Sequence, residues 1–401
     1  MNLSASVGNL CRTTVEKHSE ELLEISRSIH ANPETAFSEH RSAALLADFL
    51  AARGFAVERG AAGLETAFVA RYGDGPLAVA LCAEYDALPG MGHACGHNVI
   101  AAASTGAGLA LREVADRLGL TVMVVGTPAE EDGGGKLIML ERGVFDEVSV
   151  AMMVHPAPEE NCAPRSLAIA DLQVRYTGRA THPALSPELG VNAADALTVA
   201  QVAIGLARQH FEERQMVHGI VTRGGDSPNV VADDTAARYY LRAGDLSSLH
   251  RLESRVRSCF EAGAVATGCG HEVTEVSPAY AELRHDPWLV AAYRDAAREL
   301  GRPLVSPEAE AAMATGSTDM GNVSRVVPSL HPTIAIDGGG AVNHQPEFAA
   351  ACVSPSADRA VLDGALALAW TAAQAASDEA QRDRLLALHA ARRAGTPPDA
   401  R

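Results

Sequence analysis

The chain has 401 residues, of which 47% are hydrophobic and 21% charged, so it is too long for one ordinary domain and has enough apolar side chains for packed cores. Its formal net charge of -17 at pH 7 argues against nucleic acids and anionic membrane surfaces as partners, because both are themselves negatively charged. The seven cysteines form no regular framework, no long apolar run is present and the first residues lack a signal-peptide pattern, so we expect a cytoplasmic protein with reduced thiols.

The first part of the chain alternates between helical and strand patterns. Apolar residues at helical spacing predict helices over 15–30 and 39–53, and Asn32-Pro33 ends the first of them. Strands are predicted within AFVARY, LAVALCAEYDAL, TVMVVGTPAE and VSVAMMVHP, with helices at 97–117 and 136–140 between them. This alternation indicates an α/β fold in which helices cover a mixed, mainly parallel sheet.

The pattern changes at about residue 166. Amphipathic helices at 192–209 and 247–267 are interspersed with four strand patterns, LAIADLQVRYTG, MVHGIVTR, NVVADDTAARYYLRA and HEVTEVSP. They indicate a small α+β domain inserted into the first domain. A helix at 287–301, a strand within HPTIAID and a long helix at 354–376 complete the first domain, and the final AGTPPDAR is predicted to fray. The expected boundaries are 1–168 and 283–401 for the first domain and 169–282 for the inserted one.

The densest group of possible metal ligands lies in CAEYDALPGMGHACGHN, between a predicted strand end and a helix start. It contains Glu84, Asp86, His93, Cys95 and His97. Loops at the carboxyl ends of strands are where α/β proteins place their sites. Thiolate, imidazole and carboxylate together favour zinc or its first-row neighbours over magnesium or calcium. The alternative is a buried cysteine flanked by helix-capping histidines.

A second acidic group lies in GTPAEEDGGGK, where an apolar strand ends in Glu130, Glu131 and Asp132. Adjacent carboxylates repel each other unless a cation lies among them. One glutamate can bind a metal while its neighbour takes a proton from water. The alternative is a solvated acidic turn, and the glycines match neither the P-loop nor the dinucleotide pattern.

Two further histidines follow predicted strands: His155 ends VSVAMMVHP and His344 lies in DGGGAVNHQPE. Four separate loops at strand ends therefore each offer a nitrogen, oxygen or sulfur donor, which favours a metal centre at this edge of the sheet. His182, in YTGRATHPALSP, belongs to the inserted domain, and by itself it is interpreted as a loop histidine.

The motifs occur in an order that is similar to a known family. They are HANPETAFSE, EYDALP, GHACGHN, GTPAEEDGGGK, TGRATHPA, GVNAADAL, SPNVVADDTAARYYLRA, GSTDMGNVS and NHQPE. This series, over residues 20–375, resembles the aminoacylase/carboxypeptidase family of dinuclear metallopeptidases, peptidase family M20, in its amidohydrolase branch. Within that branch the motifs are most similar to the beta-alanyl-lysine dipeptidase type, with aminobenzoyl-glutamate hydrolases as relatives.

The resemblance implies a role for each candidate residue. The general base would be Glu130, and the metal ligands would be Cys95, His97, Glu131, His155 and His344. Asp86 would orient a ligand. Glu84 stands outside this ligand set, because the wider family often has a metal-binding histidine at its position.

The inserted domain would serve as a lid and dimerisation domain. His182 corresponds to a histidine that, in the family, reaches across a dimer to the substrate carbonyl. Asn229 corresponds to a position that contacts substrate, and Thr318 lies in a loop to which we assign the same role. A homodimer is therefore the expected assembly.

The implied activity is hydrolysis of the amide bond of a small dipeptide or N-acyl amino acid. Two divalent ions would activate a water molecule, and Glu130 would take its proton and later deliver it to the amine. The ions are predicted to be zinc, with manganese, cobalt and nickel as alternatives. An aminoacylase or aminobenzoyl-glutamate-type hydrolase would share all of these residues. The alternatives from other classes are a catalytically silent metal- or ligand-binding protein and a structural or storage zinc protein.

Overall fold

The computed structural model describes residues 4–313 and 316–395, and its contacts divide the chain into two compact units. The second unit is Ser166–Glu282, and the first unit holds the described residues on either side of it. Of the tail AGTPPDAR, which was predicted to fray, only Ala394 and Gly395 lie within the described residues.

The strands and helices of the described residues are numbered separately in chain order. The strands are β1 (Ala56–Arg59), β2 (Phe68–Tyr72), β3 (Leu77–Ala83), β4 (Leu120–Gly126), β5 (Val150–Met152), β6 (His155–Ala157), β7 (Ala168–Thr177), β8 (Met216–Arg223), β9 (Asp234–Ala243), β10 (Gly270–Tyr280), β11 (Ser329–Leu330) and β12 (Thr333–Ala335). The α-helices are α1 (Ala5–Lys17), α2 (Ser19–Ala31), α3 (His40–Ala51), α4 (His97–Arg112), α5 (Ala115–Leu118), α6 (Gly135–Glu141), α7 (Ala193–Ala207), α8 (Leu246–Thr267), α9 (Pro287–Glu299), α10 (Pro307–Ala312), α11 (Met320–Ser324), α12 (Pro346–Ala351), α13 (Pro355–Ser377) and α14 (Glu379–Arg393).

The first unit is built on a six-stranded sheet in the order β1-β2-β4-β3-β5-β11. Strand β3 runs parallel to β4 and β5, and β11 runs parallel to β5, whereas β1 and β2 are antiparallel to their neighbours. Alternate residues of β3 enter two different hydrophobic cores, one on each face of the sheet. Because helices cover both faces, the strand is a continuous apolar run, as parallel strands usually are. The predicted mixed, mainly parallel α/β fold is confirmed.

Helix α4 is buried along nearly its whole length, between the sheet and α13. Small residues make this close packing possible. A Cβ atom at Gly106 would lie 2.9 Å from the Cβ of Ala365 on α13, and one at Gly108 would lie 2.4 Å from Cγ2 of Val124 on β4. The packing fixes the amino-terminal end of α4, which carries the candidate ligand His97.

Three predicted elements of the first unit are interrupted, and one of them is the helix predicted at 97–117, which divides into α4 and α5. The helix predicted at 15–30 is the end of α1 followed by α2, with a break at His18, whose side chain contacts Glu21 in the first turn of α2. The run VSVAMMVHP forms β5 and then β6, because β6 leaves the main sheet and pairs in parallel with β12. His155 therefore begins the short strand β6 and does not end a longer one.

The second unit is a four-stranded antiparallel sheet in the order β10-β7-β9-β8, with α7 and α8 packed on one face. This α+β arrangement of four strands and two helices was expected from the sequence and is confirmed. Strand β8 forms an edge of this sheet. In neither unit do the described residues form a helix with both the length and the apolar character needed to cross a membrane.

Candidate metal centre

Cys95 and His97 lie on either side of Gly96, at the amino-terminal end of α4. Gly96 has a φ of 80°, and a Cβ atom there would lie 2.4 Å from Cγ of Pro156 and 3.1 Å from Sγ of Cys352. Only glycine combines this left-handed conformation with so close an approach. The glycine therefore allows both neighbouring side chains to approach the segment that carries His155.

Asp86 joins the two acidic motifs. Its Oδ1 accepts a hydrogen bond from Nδ1 of His97 at 3.0 Å, and its Oδ2 accepts one from the backbone N–H of Glu131 at 2.9 Å. A histidine that donates from Nδ1 to a carboxylate keeps the lone pair of Nε2 available for a cation. Asp86 thus orients the His97 ring and holds the loop of Glu131 beside it.

The candidate ligands of the first unit lie together. Among the described residues, three groups of side chains have ligand atoms within 4.8 Å of one another: Cys95, His97 and His155; Cys95, Glu131 and His344; Glu84, His97 and Glu130. Sγ of Cys95 is 3.5 Å from Nε2 of His155, and Nε2 of His344 is 3.5 Å from Oε2 of Glu131. Because the first two groups share Cys95, they form adjacent sites.

His344 reaches this cluster from an unusual backbone conformation. Its φ is 68°, and its backbone N–H donates to the carbonyl of Ala94 at 2.8 Å. The neighbouring Asn343 donates from Nδ2 to the carbonyl of Pro156 at 3.1 Å. A strained residue that is held by its surroundings in this way is typical of a functional position.

The cluster contains buried polar atoms that lack a hydrogen-bond partner among the described residues. They include Oε2 of Glu84, Nε2 of His97 and Oε1 of Glu131. These atoms converge, since Nε2 of His97 is 3.5 Å from Oε2 of Glu84 and 3.8 Å from Oε1 of Glu131. Unsatisfied buried groups are costly, and atoms bound to one tetrahedral zinc ion lie about 3.3 Å apart. The thiol, imidazole and carboxylate groups therefore fit divalent cations.

Electrostatics raise the proton affinity of the candidate base. Burial and the charges of Glu84 and Glu131 hold the pKa of Glu130 well above its usual range. Burial and the charge of Glu131 likewise raise the pKa of the Cys95 thiol well above its usual value. Nearby cations would lower both pKa values, because they favour the charged forms.

The loop of Glu130 is anchored by Glu39, a residue that the sequence analysis did not single out. Ala129, which directly precedes Glu130, has a φ of 59° and donates its backbone N–H to Oε1 of Glu39 at 2.9 Å. In the same segment as Glu39, the carbonyl of Glu34 accepts the backbone N–H of Ala87 at 2.7 Å. The loop between α2 and α3 therefore supports both acidic motifs.

Sequence reasoning also missed a buried lysine beside the cluster. Nζ of Lys136 is 2.5 Å from Oε1 of Glu84 and 2.7 Å from Oδ1 of Asp319, and all three side chains are fully buried. The backbone N–H of Lys136 also donates to Oδ2 of Asp319, at 3.0 Å. The sequence signal that could have found this contact is a lysine placed between the GGG of GTPAEEDGGGK and the apolar run LIML.

The remaining candidate residues lie elsewhere. Thr318 is buried in the first unit, where its Oγ1 accepts the backbone N–H of Met320 at 3.2 Å. His182 and Asn229 are exposed in the second unit. Their two loops are joined by a hydrogen bond of 3.0 Å from the N–H of Val231 to the carbonyl of Thr181. The first unit thus brings together the ligand candidates with Glu130 and Asp86, and the second brings the His182 loop beside the Asn229 loop.

Comparison with known families and sequences gives consistent matches. The profile of Peptidase family M20/M25/M40 matches residues 80–361. A Xaa-Arg dipeptidase of Mus musculus is 38% identical over 373 residues, which cover 89% of this chain and 86% of that protein. One of the two p-aminobenzoyl-glutamate hydrolase chains of Escherichia coli is 34% identical over 274 residues, which cover 63% of this chain and 57% of that one.

Solved structures share the fold over most of the chain. A crystal structure described as a putative aminohydrolase from Staphylococcus aureus matches with a TM-score of 0.75 at 19% identity, covering 92% of this chain and 99% of that one. A dinuclear metal-binding peptidase from the M20 family of Bacillus subtilis matches with a TM-score of 0.65 at 21% identity, covering 88% and 98%.

Proposed function

Because the chain belongs to Peptidase family M20/M25/M40 and is a metal-dependent hydrolase of amide bonds, we propose that it cleaves small dipeptides with Glu130 as general base. One observation carries this proposal: a buried carboxyl of raised proton affinity lies beside converging metal-ligand atoms. Such a group suits a base that accepts a proton and later returns it.

We assign two divalent cations, zinc by preference, to the cluster. The ligands would be Cys95, His97, Glu131, His155 and His344. When bound, such ions polarise the amide carbonyl and lower the pKa of a water molecule. Zinc is favoured because the donor atoms are sulfur, nitrogen and oxygen, although manganese, cobalt and nickel accept the same donors.

The chain's own groups then account for the proton transfers. Glu130 accepts a proton from the attacking water and delivers it to the departing amine, so that the amine leaves neutral. Asp86 keeps the Nδ1 proton on His97 and directs Nε2 of that ring towards the cluster. The hydrogen bond from Ala129 to Glu39 holds the base in place between these two steps.

For the substrate we propose a dipeptide with a basic carboxy-terminal residue. The Xaa-Arg dipeptidase of Mus musculus supports this class, since its similarity extends over 89% of this chain. The acidic net charge of -17 would also attract a cationic substrate. The p-aminobenzoyl-glutamate hydrolase similarity, over 63% of the chain, makes aryl-amide or N-acyl amino acids the second candidate.

We further propose a homodimer in which His182 of one protomer reaches the substrate carbonyl in the other. Strand β8 supports dimerisation, because it is a sheet edge on which Ile220 is 66% and Val221 48% exposed. Helix α7 adds Leu206 and Val202, which are 72% and 57% exposed. Exposed apolar side chains on an edge strand and on a helix of the same unit are typical of an interface between protein chains.

A cytoplasmic location completes the proposal. Its support is that all seven cysteines are free thiols. Proteins of oxidising compartments commonly pair their cysteines, whereas cytosolic proteins keep them reduced.

The decisive experiment combines metal analysis with a substrate panel. The assay would compare the wild type with Glu130→Gln and with Asp132→Asn as a matched control. The substrates would be Xaa-Arg and Xaa-Lys dipeptides, aminobenzoyl-glutamate and N-acetyl amino acids. We expect two metals per chain in all three proteins and loss of turnover only in Glu130→Gln. Full turnover by Glu130→Gln would refute the assignment of the base, and preference for N-acyl substrates would refute the dipeptide class.

A further inference from the structure

Glu84 uses its two carboxylate oxygens differently. Oε1 is 2.5 Å from the ammonium group of Lys136, whereas Oε2 is fully buried and has no hydrogen-bond partner among the described residues. Oε2 is 3.5 Å from Nε2 of His97, which is equally buried and equally lacks a partner among these residues. At this distance a proton on Nε2 makes at best a weak hydrogen bond to Oε2, so both polar atoms stay poorly satisfied in a dry interior unless a cation binds both.

The separation of these atoms fits an ion between them. Oxygen and nitrogen ligands of a tetrahedral zinc ion, with bonds of about 2.0–2.1 Å, lie about 3.3 Å from each other. Oε2 of Glu130 lies 3.9 Å from the same Nε2, and the ligand atoms of these three side chains are all within 4.8 Å. Glu84 and His97 therefore offer one side of a coordination shell, with the proposed base Glu130 beside it.

Lys136 fixes the direction of the Glu84 carboxylate. The lysine is itself immobilised, because Asp319 accepts hydrogen bonds from both its backbone N–H and its Nζ. If Glu84 served only to neutralise the lysine, its second oxygen would not need to face His97, since Asp319 already supplies a counter-charge. The different surroundings of Oε1 and Oε2 indicate that Oε2 of Glu84 has a role other than neutralising Lys136.

We propose that Glu84 is a further metal ligand of this site through Oε2, and that Lys136 is its positioning residue. This inference rests on the proposed function, because it assumes that cations occupy the cluster. It assigns the ion next to His97 a carboxylate ligand from the loop after β3. Lys136 would then balance part of the negative charge that Glu84, Glu130 and Glu131 bring to the cations.

The matched pair of variants is Glu84→Gln and Asp319→Asn. Each replaces one carboxylate partner of Lys136 by an amide of the same shape, but only Glu84 faces His97. A structural role in neutralising Lys136 predicts equal effects of the two substitutions, whereas a ligand role predicts unequal ones. Thermal unfolding of the metal-free proteins measures the structural contribution separately.

The apo-protein would be titrated with zinc in competition with a chelator and, separately, with cobalt(II) while the visible absorption spectrum is recorded. For Glu84→Gln we expect the affinity for one of the two ions to fall at least as far as loss of a hydrogen-bond partner of a ligand causes, about 10- to 100-fold, with an altered cobalt spectrum. Asp319→Asn, which only loosens Lys136, should lose less affinity than Glu84→Gln and keep the cobalt spectrum closer to wild type. Equal losses in the two variants, or no loss in Glu84→Gln, would overturn the proposal.

Two further results keep the outcomes distinct. If Glu84→Gln does not fold, Glu84→Asp takes its place, because it retains the charge and is shorter by one methylene. Glu84→Asp should lose zinc affinity, and its unfolding temperature should stay closer to that of the wild type. An unchanged zinc affinity in Glu84→Asp would overturn the ligand role. This inference alone is refuted if the wild-type protein takes up two ions and hydrolyses its substrate while Glu84→Gln binds the ions with the same affinity. A wild-type protein that binds no metal refutes the proposed function as well.

Discussion

One carboxylate oxygen of Asp86 lies 3.0 Å from Nδ1 of His97, and both side chains are buried. Burial alone would lower the pKa of His97, but the charge and hydrogen bond of Asp86 raise it well above its usual range. Protons therefore compete with a cation for this ring, and zinc affinity should fall as the pH falls.

The first prediction concerns Asp86→Asn. The amide can still accept from Nδ1 of His97, but it cannot also accept the N–H of Glu131 and it carries no charge. We expect zinc affinity to fall by about 10- to 100-fold, measured by chelator competition. Asp116→Asn, in helix α5, is the control, and equal affinity of the Asp86 and Asp116 variants would contradict the role given to Asp86.

The second prediction concerns Glu130→Gln. Loss of a positioned base typically slows turnover by about 10²- to 10⁴-fold. Because the substitution keeps the shape of the side chain and the five assigned ligands, zinc content should stay at the wild-type level. Loss of metal together with activity would show that Glu130 is a ligand and not the base.

The third prediction tests the dimer through complementation. His182→Ala and Glu130→Gln should each be inactive, but mixed dimers would contain one site with both wild-type residues. After unfolding and refolding an equimolar mixture, random pairing should restore about a quarter of wild-type activity. If the mixture stays inactive while mixed dimers are present, His182 does not act across a dimer.

The fourth prediction concerns the pH dependence of stability. Burial, followed by the charge of Asp86, raises the pKa of Glu39 to about 7 from its ordinary value of 4.5. The folded state therefore holds a proton that the unfolded state releases, so this contribution is full below pH 4.5 and is lost as the pH rises to 7. The loss is on the order of 3 kcal/mol.

Glu39→Gln removes that titration while it keeps an acceptor for the N–H of Ala129. Relative to wild type, its free energy of unfolding should rise between pH 4.5 and 7 and then stay constant, as measured by urea denaturation. A constant difference between the two proteins across this range would show that Glu39 does not titrate as described.

The fifth prediction uses two glycines of similar conformation. Gly96 and Gly268 have φ values of 80° and 73°, but a Cβ atom would be 2.4 Å from Pro156 at Gly96 and more than 4 Å from any neighbour at Gly268. Gly268→Ala should cost about 1–2 kcal/mol for the backbone conformation alone. Gly96→Ala should cost more and also weaken zinc binding, whereas equal costs would show that close packing beside Cys95 and His97 is unimportant.

The architecture was predictable because hydrophobic periodicity reports local structure. The mixed α/β fold, the separate four-stranded unit, the family and the amide hydrolase activity were all predicted and are confirmed. The motif residues could be grouped because the carboxyl ends of β3 and β4 lie at the same edge of a parallel sheet.

Contacts between distant segments were beyond this reasoning. Lys136 meets Asp319, which lies 183 positions away, and no periodic pattern records that pairing. Glu39 likewise contacts Ala129 from a loop in which no catalytic or metal-binding residue was predicted. The break at His18 was missed because the apolar spacing continues through it. The roles of Asp86, Glu130 and His182 are predictions that the first three experiments test.

The first unit is discontinuous, and this has a consequence for biosynthesis. The candidate ligands from Cys95 to His155 emerge from the ribosome before the second unit, but His344 and helix α13, against which α4 packs, emerge after it. The continuous segment Ser166–Glu282 contains a complete sheet and its own core, so it can fold while the chain is still growing. Premature termination before α13 would leave that segment folded and the metal-binding half without the helix against which α4 packs.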